Sequence, residues 1–175
     1  RKKIDLIDDK ILELLKNRSK IALDIGNLKN KNSKNSNLYR PERQIKILSR
    51  LFLNKNNLFS EHDILNFWKE IFFHQTKLQG GLEFLISETL KKPEKKIIFD
   101  AFGSNIIFKT YKSLVKACFE IKINNNKLLI LPYPGKTKRS NWWINKNFKN
   151  LFIISAIPFI NKNNNTPNFV VVSKD

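Results

Sequence analysis

A long helical pattern over residues 1–29 constrains the fold of this chain more than any other feature of its sequence. The segment contains no proline, and its only glycine, Gly26, lies near its end. Its apolar residues recur at alternating spacings of three and four, the heptad pattern by which one helix packs along another. These residues, called the seam below, are Ile4, Ile7, Ile11, Leu14, Ile21, Ile25 and Leu28.

Arg18 occupies the seam position between Leu14 and Ile21. A guanidinium among apolar side chains is costly unless an anion meets it. Two explanations are open: a structural ion pair with an acidic residue of a neighbouring helix, or a binding site for an anion. Lys29 favours the second, because it lies three helical turns after Arg18 on nearly the same side, with the two backbones roughly 16 Å apart. That gap has space for one small polyanion.

Arg1 cannot join these two cations from the same helix, since it lies roughly 25 Å from Arg18 along the axis and about 100° round from it. Any role of Arg1 in such a site therefore requires a second subunit. A helix of this length also has too few partners within the first 80 residues to cover its seam. The sequence predicts a homodimer formed through this helix.

The composition predicts a folded, basic protein. The 175 residues suffice for one domain or two small ones, and a hydrophobic fraction of 41% predicts a packed core. The 33 basic and 15 acidic side chains give a net charge of +18, a balance that raises nucleic acid as a partner. Lys and Asn are abundant everywhere, however, including the asparagine runs 124–126 and 163–165. We interpret the charge as a chain-wide bias and predict no nucleic-acid partner.

Cys118 is the only cysteine, which excludes an internal disulfide and fits a reducing cytosol. The chain has no run of 18 apolar residues, so we predict no membrane partner. It begins with Arg1 and not with Met, so we expect residues upstream of it. Together these observations predict a cytoplasmic protein.

Two shorter helices should follow the first. Pro41 suits the first turn of one, because its missing N–H would be unpaired there anyway. Ser60 is a plausible N-cap of the other, with Asp63 three residues later in an imperfect capping box. Gly80 and Gly81 should end that helix.

The pattern changes after Gly81. Short apolar or β-branched runs predict strands at residues 82–86, 105–111, 127–131, 151–157 and 168–172. Candidate helices at about 88–100 and 112–120 separate the first three, which indicates a partly parallel sheet. The predicted fold class is α+β overall, with an all-α three-helix domain over residues 1–80 and a small α/β domain over residues 81–175. We see no glycine-rich phosphate loop and no metal-ligand set around His62 or His74, so we predict no cofactor and no metal.

Three segments of the helical part resemble the all-α (type II) chorismate mutase family. They are RKKIDLIDDKILELLKNRSKIALDIGNLK, YRPERQIKILSRL and FWKEIFFHQTKLQG. The family is an intertwined helical dimer whose cationic pocket rearranges chorismate to prephenate, in the shikimate pathway toward phenylalanine and tyrosine. The resemblance therefore implies a homodimeric isomerase that acts on chorismate in aromatic amino acid biosynthesis.

The resemblance also implies a role for each pocket residue. Arg18 would bind one substrate carboxylate within its own subunit, and Arg1 would reach a carboxylate in the partner subunit's pocket. Lys29 and Gln79 would hydrogen-bond the ether oxygen of the breaking C–O bond. Arg43 would lie in the pocket wall and help to hold the carboxylates.

Three further residues fall at pocket positions of the family. Gln44 replaces a usual glutamate that accepts a hydrogen bond from the ring hydroxyl. An amide oxygen can still accept that bond, but without charge. Arg40 and Gln75 fall at positions that vary in the family, and Gln75 is bulkier than the small residue often found there.

The second part resembles the short C-terminal extension of some bacterial chorismate mutases, a reduced relative of the prephenate dehydratase domain. The matching pieces are Phe102-Gly103, LLILPYP, Trp142-Trp143 and the AIPF run from Ala156. The Thr-Arg-Phe motif of active dehydratases is absent, and the nearest segment, Thr137-Lys138-Arg139, lacks the aromatic residue. We therefore predict no dehydratase activity. Because every implied pocket residue precedes Gly80, we also expect a chain ending near Ser87 to keep the chemistry.

Two alternatives to an active mutase are a basic nucleic-acid-binding protein and a mutase-like regulatory domain without activity. Nucleic-acid binders array Lys and Arg on an exposed face beside aromatic residues. Arg18 instead interrupts an apolar seam, which suits a buried pocket better. The regulatory alternative stays open because of Gln44.

Overall fold

A computed structural model of the protein describes residues 1–32, 38–54, 58–103, 106–159 and 166–174, and for residues 29–32 it describes the backbone alone. Three helices come first: α1 (Lys2–Asn32), α2 (Pro41–Leu53) and α3 (Glu61–Leu78). Strands and helices then alternate as β1 (Glu83–Ser87), α4 (Lys92–Ala101), β2 (Ile107–Tyr111), α5 (Leu114–Ile123) and β3 (Lys127–Pro132). Two 3-10 turns (Trp142–Ile144 and Lys146–Phe148) precede β4 (Phe152–Ile157) and β5 (Phe169–Ser173). The predicted α+β fold class is confirmed.

The helices begin and end where the local sequence requires. Pro41 is the first residue of α2, as predicted. The Ser60 hydroxyl accepts from the Asp63 amide at 3.2 Å, and the Asp63 carboxylate accepts from the Ser60 amide at 2.8 Å, which completes the capping box. Gly80 and Gly81 follow α3 with φ values of 125° and 75°, which favour glycine. Three helices differ from their predicted bounds: α1 continues three residues past residue 29, α4 begins four residues after residue 88, and α5 ends three residues past residue 120.

The five strands form one sheet in the order β2-β1-β3-β5-β4. β1 is parallel to both β2 and β3, whereas β5 is antiparallel to both β3 and β4. The predicted partly parallel sheet is therefore confirmed. Each strand agrees with its predicted range to within two residues at either end, although residue 105 lies outside the described residues.

Apolar side chains cover both faces of the sheet, because successive residues of a strand point to opposite faces. One core cluster, shared with α4, includes Phe84, Ile86, Leu128, Ile130, Val171, Ile98, Phe102, Tyr39 and Phe73. A second, shared with α5, includes Leu85, Leu129, Leu131, Val170, Val172, Cys118, Ile121, Trp142 and Phe148. Tyr39 and Phe73 precede residue 80 and yet belong to the core of the sheet. The division into domains at 1–80 and 81–175 stays a prediction.

Residues 1–80, called the helical half below, have a small core cluster of their own among the described residues, built on Leu48, Ile64 and Phe72 of α2 and α3. On α1, Ala22 and Gly26 are buried, whereas the seven seam residues remain between 46% and 68% exposed. The single chain therefore leaves the seam largely uncovered. Such a row of Leu and Ile side chains is the kind of apolar face that normally packs on another helix.

An ion pair links the segment after β3 to α4 and gives the fold a pH dependence. Arg139 donates hydrogen bonds of 2.6 and 3.2 Å to the Glu94 carboxylate, and chiefly for this reason the pKa of Glu94 lies below its ordinary value of 4.5. A carboxyl group with a lowered pKa stabilises the fold at pH values above its ordinary pKa. That stability is lost as the pH falls through the pKa of the folded state.

We therefore expect Arg139→Ala to lower the free energy of unfolding by up to about 1 kcal/mol at neutral pH, the range of surface pairs. The difference from wild type should shrink as pH falls below 4.5. Urea unfolding at several pH values measures it, with Lys138→Ala as the control on the same exposed segment. A difference that does not change with pH would contradict this account.

Candidate active site

Arg18 lies half-buried between α1 and α3, with polar and aromatic neighbours. Its guanidinium donates a hydrogen bond to the side-chain oxygen of Gln75. Its Cζ atom lies 5.6 Å from the centroid of the Phe72 ring, within cation–π range. Gln75 is itself buried, at 8% exposed. Arg18 therefore meets an amide and an aromatic face on α3.

The electrostatics of Arg18 separate the two explanations that its sequence position left open. Burial lowers the pKa of the Arg18 guanidinium from its usual value, and the positive charge of Arg43 lowers it further. A carboxylate partner would have the opposite effect, because an opposite charge favours the charged form. Among the described residues Arg18 thus shows no sign of a completed ion pair, which favours the second explanation, a binding site for an anion.

A cavity of about 1120 Å³ lies between the three helices and contains both Arg18 and Arg43. Lys46 and Arg50 of α2 also line it, together with Trp68 of α3. Large apolar residues form most of the remaining wall, among them Ile11, Leu14, Leu15, Ile47, Leu51, Phe67 and Ile71. The cavity is therefore largely apolar, with four cations and one carboxylate, Glu70, in its wall. The excess of positive charge suits an organic anion.

Lys46 and Arg50 were not anticipated from the sequence. With Arg43 they are spaced by three and then four residues, so a helix places all three on one side. That spacing was the signal that would have identified them.

Gln79, which directly follows α3, lies close to Gly26 of α1. A Cβ atom at Gly26 would come within 3.0 Å of the Gln79 Cγ atom. Glycine at position 26 is therefore what gives the Gln79 side chain its place beside α1. Lys29 follows Gly26 by about one turn on the same continuous helix, while its side chain lies outside the described residues.

Among the predicted site residues whose side chains the structure describes, Arg18 and Arg43 line the cavity, whereas Gln75 and Gln79 do not. Three others lie farther from Arg18 and its contacts. Arg1 is exposed at the start of α1, where its carbonyl accepts hydrogen bonds from the first amides of the helix. Arg40 forms an exposed ion pair with Glu42 at 2.9 Å. Gln44 lines a separate pocket of about 20 Å³ whose other residues include Phe72 and Phe159. Phe72 lies near both residues: it lines the pocket of Gln44, and its ring also contacts the Arg18 guanidinium.

Two kinds of feature are absent from the described part of the chain. Among these residues no group of three or more His, Cys, Asp and Glu side chains could hold a metal ion. None of the helices described is both long enough and apolar enough to cross a membrane.

Comparison with known families bears on this constellation. Residues 1–80 match the sequence model of the family described as Chorismate mutase type II. A comparison with curated proteins found no match, and neither did a comparison with solved structures. The resemblance of residues 81–175 to a reduced dehydratase-like unit stays a prediction. The family match spans α1, α2 and α3, and residues 1–80 are thus similar in sequence to type II chorismate mutases.

Proposed function

We propose that this protein is a chorismate mutase, which rearranges chorismate to prephenate in the cytosol as a step of phenylalanine and tyrosine synthesis. The observation that carries the proposal is the half-buried Arg18, which faces the amide of Gln75 and shares a cavity with Arg43. The family match over residues 1–80 supports chorismate as the dianion that would complete the site. Neither the structure nor the family match gives support to the nucleic-acid-binding or regulatory alternatives.

The chemistry of this rearrangement suits the residues at hand. The reaction is unimolecular and needs no nucleophile, metal or cofactor, so the protein has to hold a flexible dianion in its folded, reactive shape. It must also place hydrogen-bond donors where negative charge grows on the ether oxygen of the breaking C–O bond. Arginine suits the first task, because its planar fork can bind both oxygens of a carboxylate.

Each residue takes one part of this work in the proposed mechanism. Arg18 binds a substrate carboxylate, and Gln75 orients its guanidinium through their hydrogen bond. Arg43 adds positive charge from the wall of the same cavity. Lys29 and Gln79 donate to the ether oxygen, and Gly26 sets the position of Gln79.

The proposed active form is a dimer formed along the α1 seam. Covering seven half-exposed Leu and Ile side chains would contribute on the order of 5–10 kcal/mol per chain before the cost of association. The second α1 would bring its Arg1 to the pocket of the first chain. Arg1 has no other route to that pocket, because α1 is one continuous helix of 31 residues.

The positions of Arg40 and Gln44 give less support for direct contact with the substrate. Gln44 would have to reach the ring hydroxyl past Phe72, which lines its pocket. We propose that Gln44 acts at the edge of the site and that Arg40, paired with Glu42, lines its entrance.

We propose no dehydratase activity for residues 81–175, since Arg139 of the Thr137-Lys138-Arg139 segment already binds Glu94.

The direct test is to add purified protein to chorismate, to follow the loss of chorismate absorbance and to identify prephenate as the product. Arg18→Ala should lower kcat/KM by roughly a hundred- to a thousand-fold, the usual cost of one charged contact in the transition state. Sedimentation should show that the variant remains a dimer. Lys16→Ala, at an exposed position of the same helix, is the matched control. A fully active Arg18→Ala dimer would refute the assignment of Arg18.

Gly26→Ala separates stability from catalysis. Alanine in place of a mid-helix glycine favours the helix by about 1 kcal/mol, but the new Cβ would crowd the Gln79 Cγ atom at 3.0 Å. We expect kcat to fall about tenfold with no comparable loss of thermal stability. Asn27→Ala, exposed on the same turn, controls for helix propensity. Wild-type kcat in Gly26→Ala would show that Gln79 has no catalytic role or tolerates the contact.

Mixing two inactive variants tests the role of Arg1. Arg1→Ala and Arg18→Ala homodimers should both be nearly inactive. In their heterodimer one pocket carries both lesions and the other carries neither. Half of a random mixture is heterodimer with one intact pocket of two, so recovery should approach about a quarter of wild-type activity if the pockets are independent. No recovery after verified subunit exchange would mean that Arg1 does not act across the dimer.

A further inference from the structure

Tyr39 is a residue of the helical half that is buried in the core of the sheet. It is 2% exposed, and its ring stacks on Phe73 with centroids 6.1 Å apart. It also meets Phe84 of β1 at 5.9 Å and Phe102, just after α4, at 6.4 Å. Its hydroxyl donates a hydrogen bond of 3.3 Å to the Ser155 hydroxyl of β4. Three separate elements of residues 83–173, called the α/β half below, thus contact one side chain.

The position of Tyr39 in the chain gives these contacts a consequence. Tyr39 immediately precedes Arg40, whose carbonyl accepts hydrogen bonds of 3.1 Å from the amides of both Arg43 and Gln44. Pro41, the first residue of α2, is buried as well. Fixing Tyr39 in the core therefore fixes the first turn of α2, which carries Arg43 into the cationic cavity.

Other contacts hold the α/β half against the same region. Phe159, after β4, lines the small pocket that contains Gln44. The Lys69 ammonium of α3 donates to the Asp100 carbonyl of α4 at 3.0 Å. A Cβ atom at Gly103 would lie 3.3 Å from the Glu70 Cα atom, so the chain after α4 approaches the backbone of α3 closely.

We propose that the α/β half acts as a scaffold for the mutase site and that Tyr39 is the positioning residue through which it does so. Tyr39 touches no substrate; it acts by placing Arg43 and Gln44. This inference rests on the proposed function for its kinetic readout, but the geometry that it invokes is independent of the reaction.

The proposal changes the expectation that a chain ending near Ser87 would keep the chemistry. Such a chain would retain β1 without β2 and β3, its neighbours in the sheet. It would also uncover Tyr39 and Phe73, which are 2% and 1% exposed in the whole chain. Truncation therefore disturbs the start of α2 and cannot serve as a neutral test, so point substitutions in the full chain are needed.

The experiment compares Tyr39→Leu with Phe108→Leu in the full chain. Both remove an aromatic ring that packs on Phe84 and Phe102 in the same core, but Phe108 belongs to β2 and has no ring contact with Tyr39 among those the structure describes. At a temperature where both variants are fully folded, Tyr39→Leu should raise KM for chorismate about tenfold with a smaller change in kcat. Phe108→Leu should stay within about twofold of wild type in both. Tyr39→Phe, which keeps the ring, should recover most of the lost kcat/KM.

Amide hydrogen exchange over residues 38–48 gives a readout that does not depend on activity. Tyr39→Leu should speed exchange at Arg43 and Gln44, whereas Phe108→Leu should not. Inactive wild-type protein would refute the proposed function, and the exchange data would still decide the role of Tyr39. Unchanged exchange and kinetics in folded Tyr39→Leu, or equal effects of both leucine variants, would overturn the proposal.

Discussion

The helical part of the structure is built around a half-buried positive charge, Arg18, for which the described residues provide no ion pair. Arg18 interrupts an apolar seam, is half-buried, and donates to the neutral amide of Gln75. Burial and the neighbouring Arg43 both disfavour its charge. An anion bound beside Arg18 would therefore stabilise the charged guanidinium. α1 carries this cation, α3 supplies Gln75, which accepts its hydrogen bond, and α2 adds Arg43 to the same cavity. Residues from all three helices thus surround the charge of Arg18.

The sequence predicted those features that depend on local periodicity and turn chemistry. Heptad spacing identified α1, Ser60 and Asp63 identified the start of α3, and all five strands were found from short apolar runs. The directions of individual side chains could not be predicted in the same way. Gln44 follows Arg43 directly, yet the two line different pockets because neighbours on a helix point about 100° apart. Only the tertiary packing of α2 decides which of them faces Arg18.

The two halves of the chain also depend on each other more than their sequence patterns indicate. The helical half has a small core of its own and an exposed seam, and it contributes Tyr39 and Phe73 to the core of the sheet. The composition of the segment around residue 80 changes sharply, but a boundary in pattern is not a boundary in packing. No property of Tyr39 within its polar loop indicated that two strands of the sheet and the residue after α4 would enclose it.

The most direct measurement is a calorimetric titration of the protein with prephenate, the dianionic product of the proposed reaction. The account predicts saturable binding of one prephenate per chain that weakens as salt is added, because two carboxylates meet cations in the pocket. Arg18→Ala should bind at least tenfold more weakly, while Lys16→Ala should bind like wild type. Wild-type protein that binds no prephenate, or binds it no better than Arg18→Ala, would contradict the claim that the charge of Arg18 is there to meet a dianion.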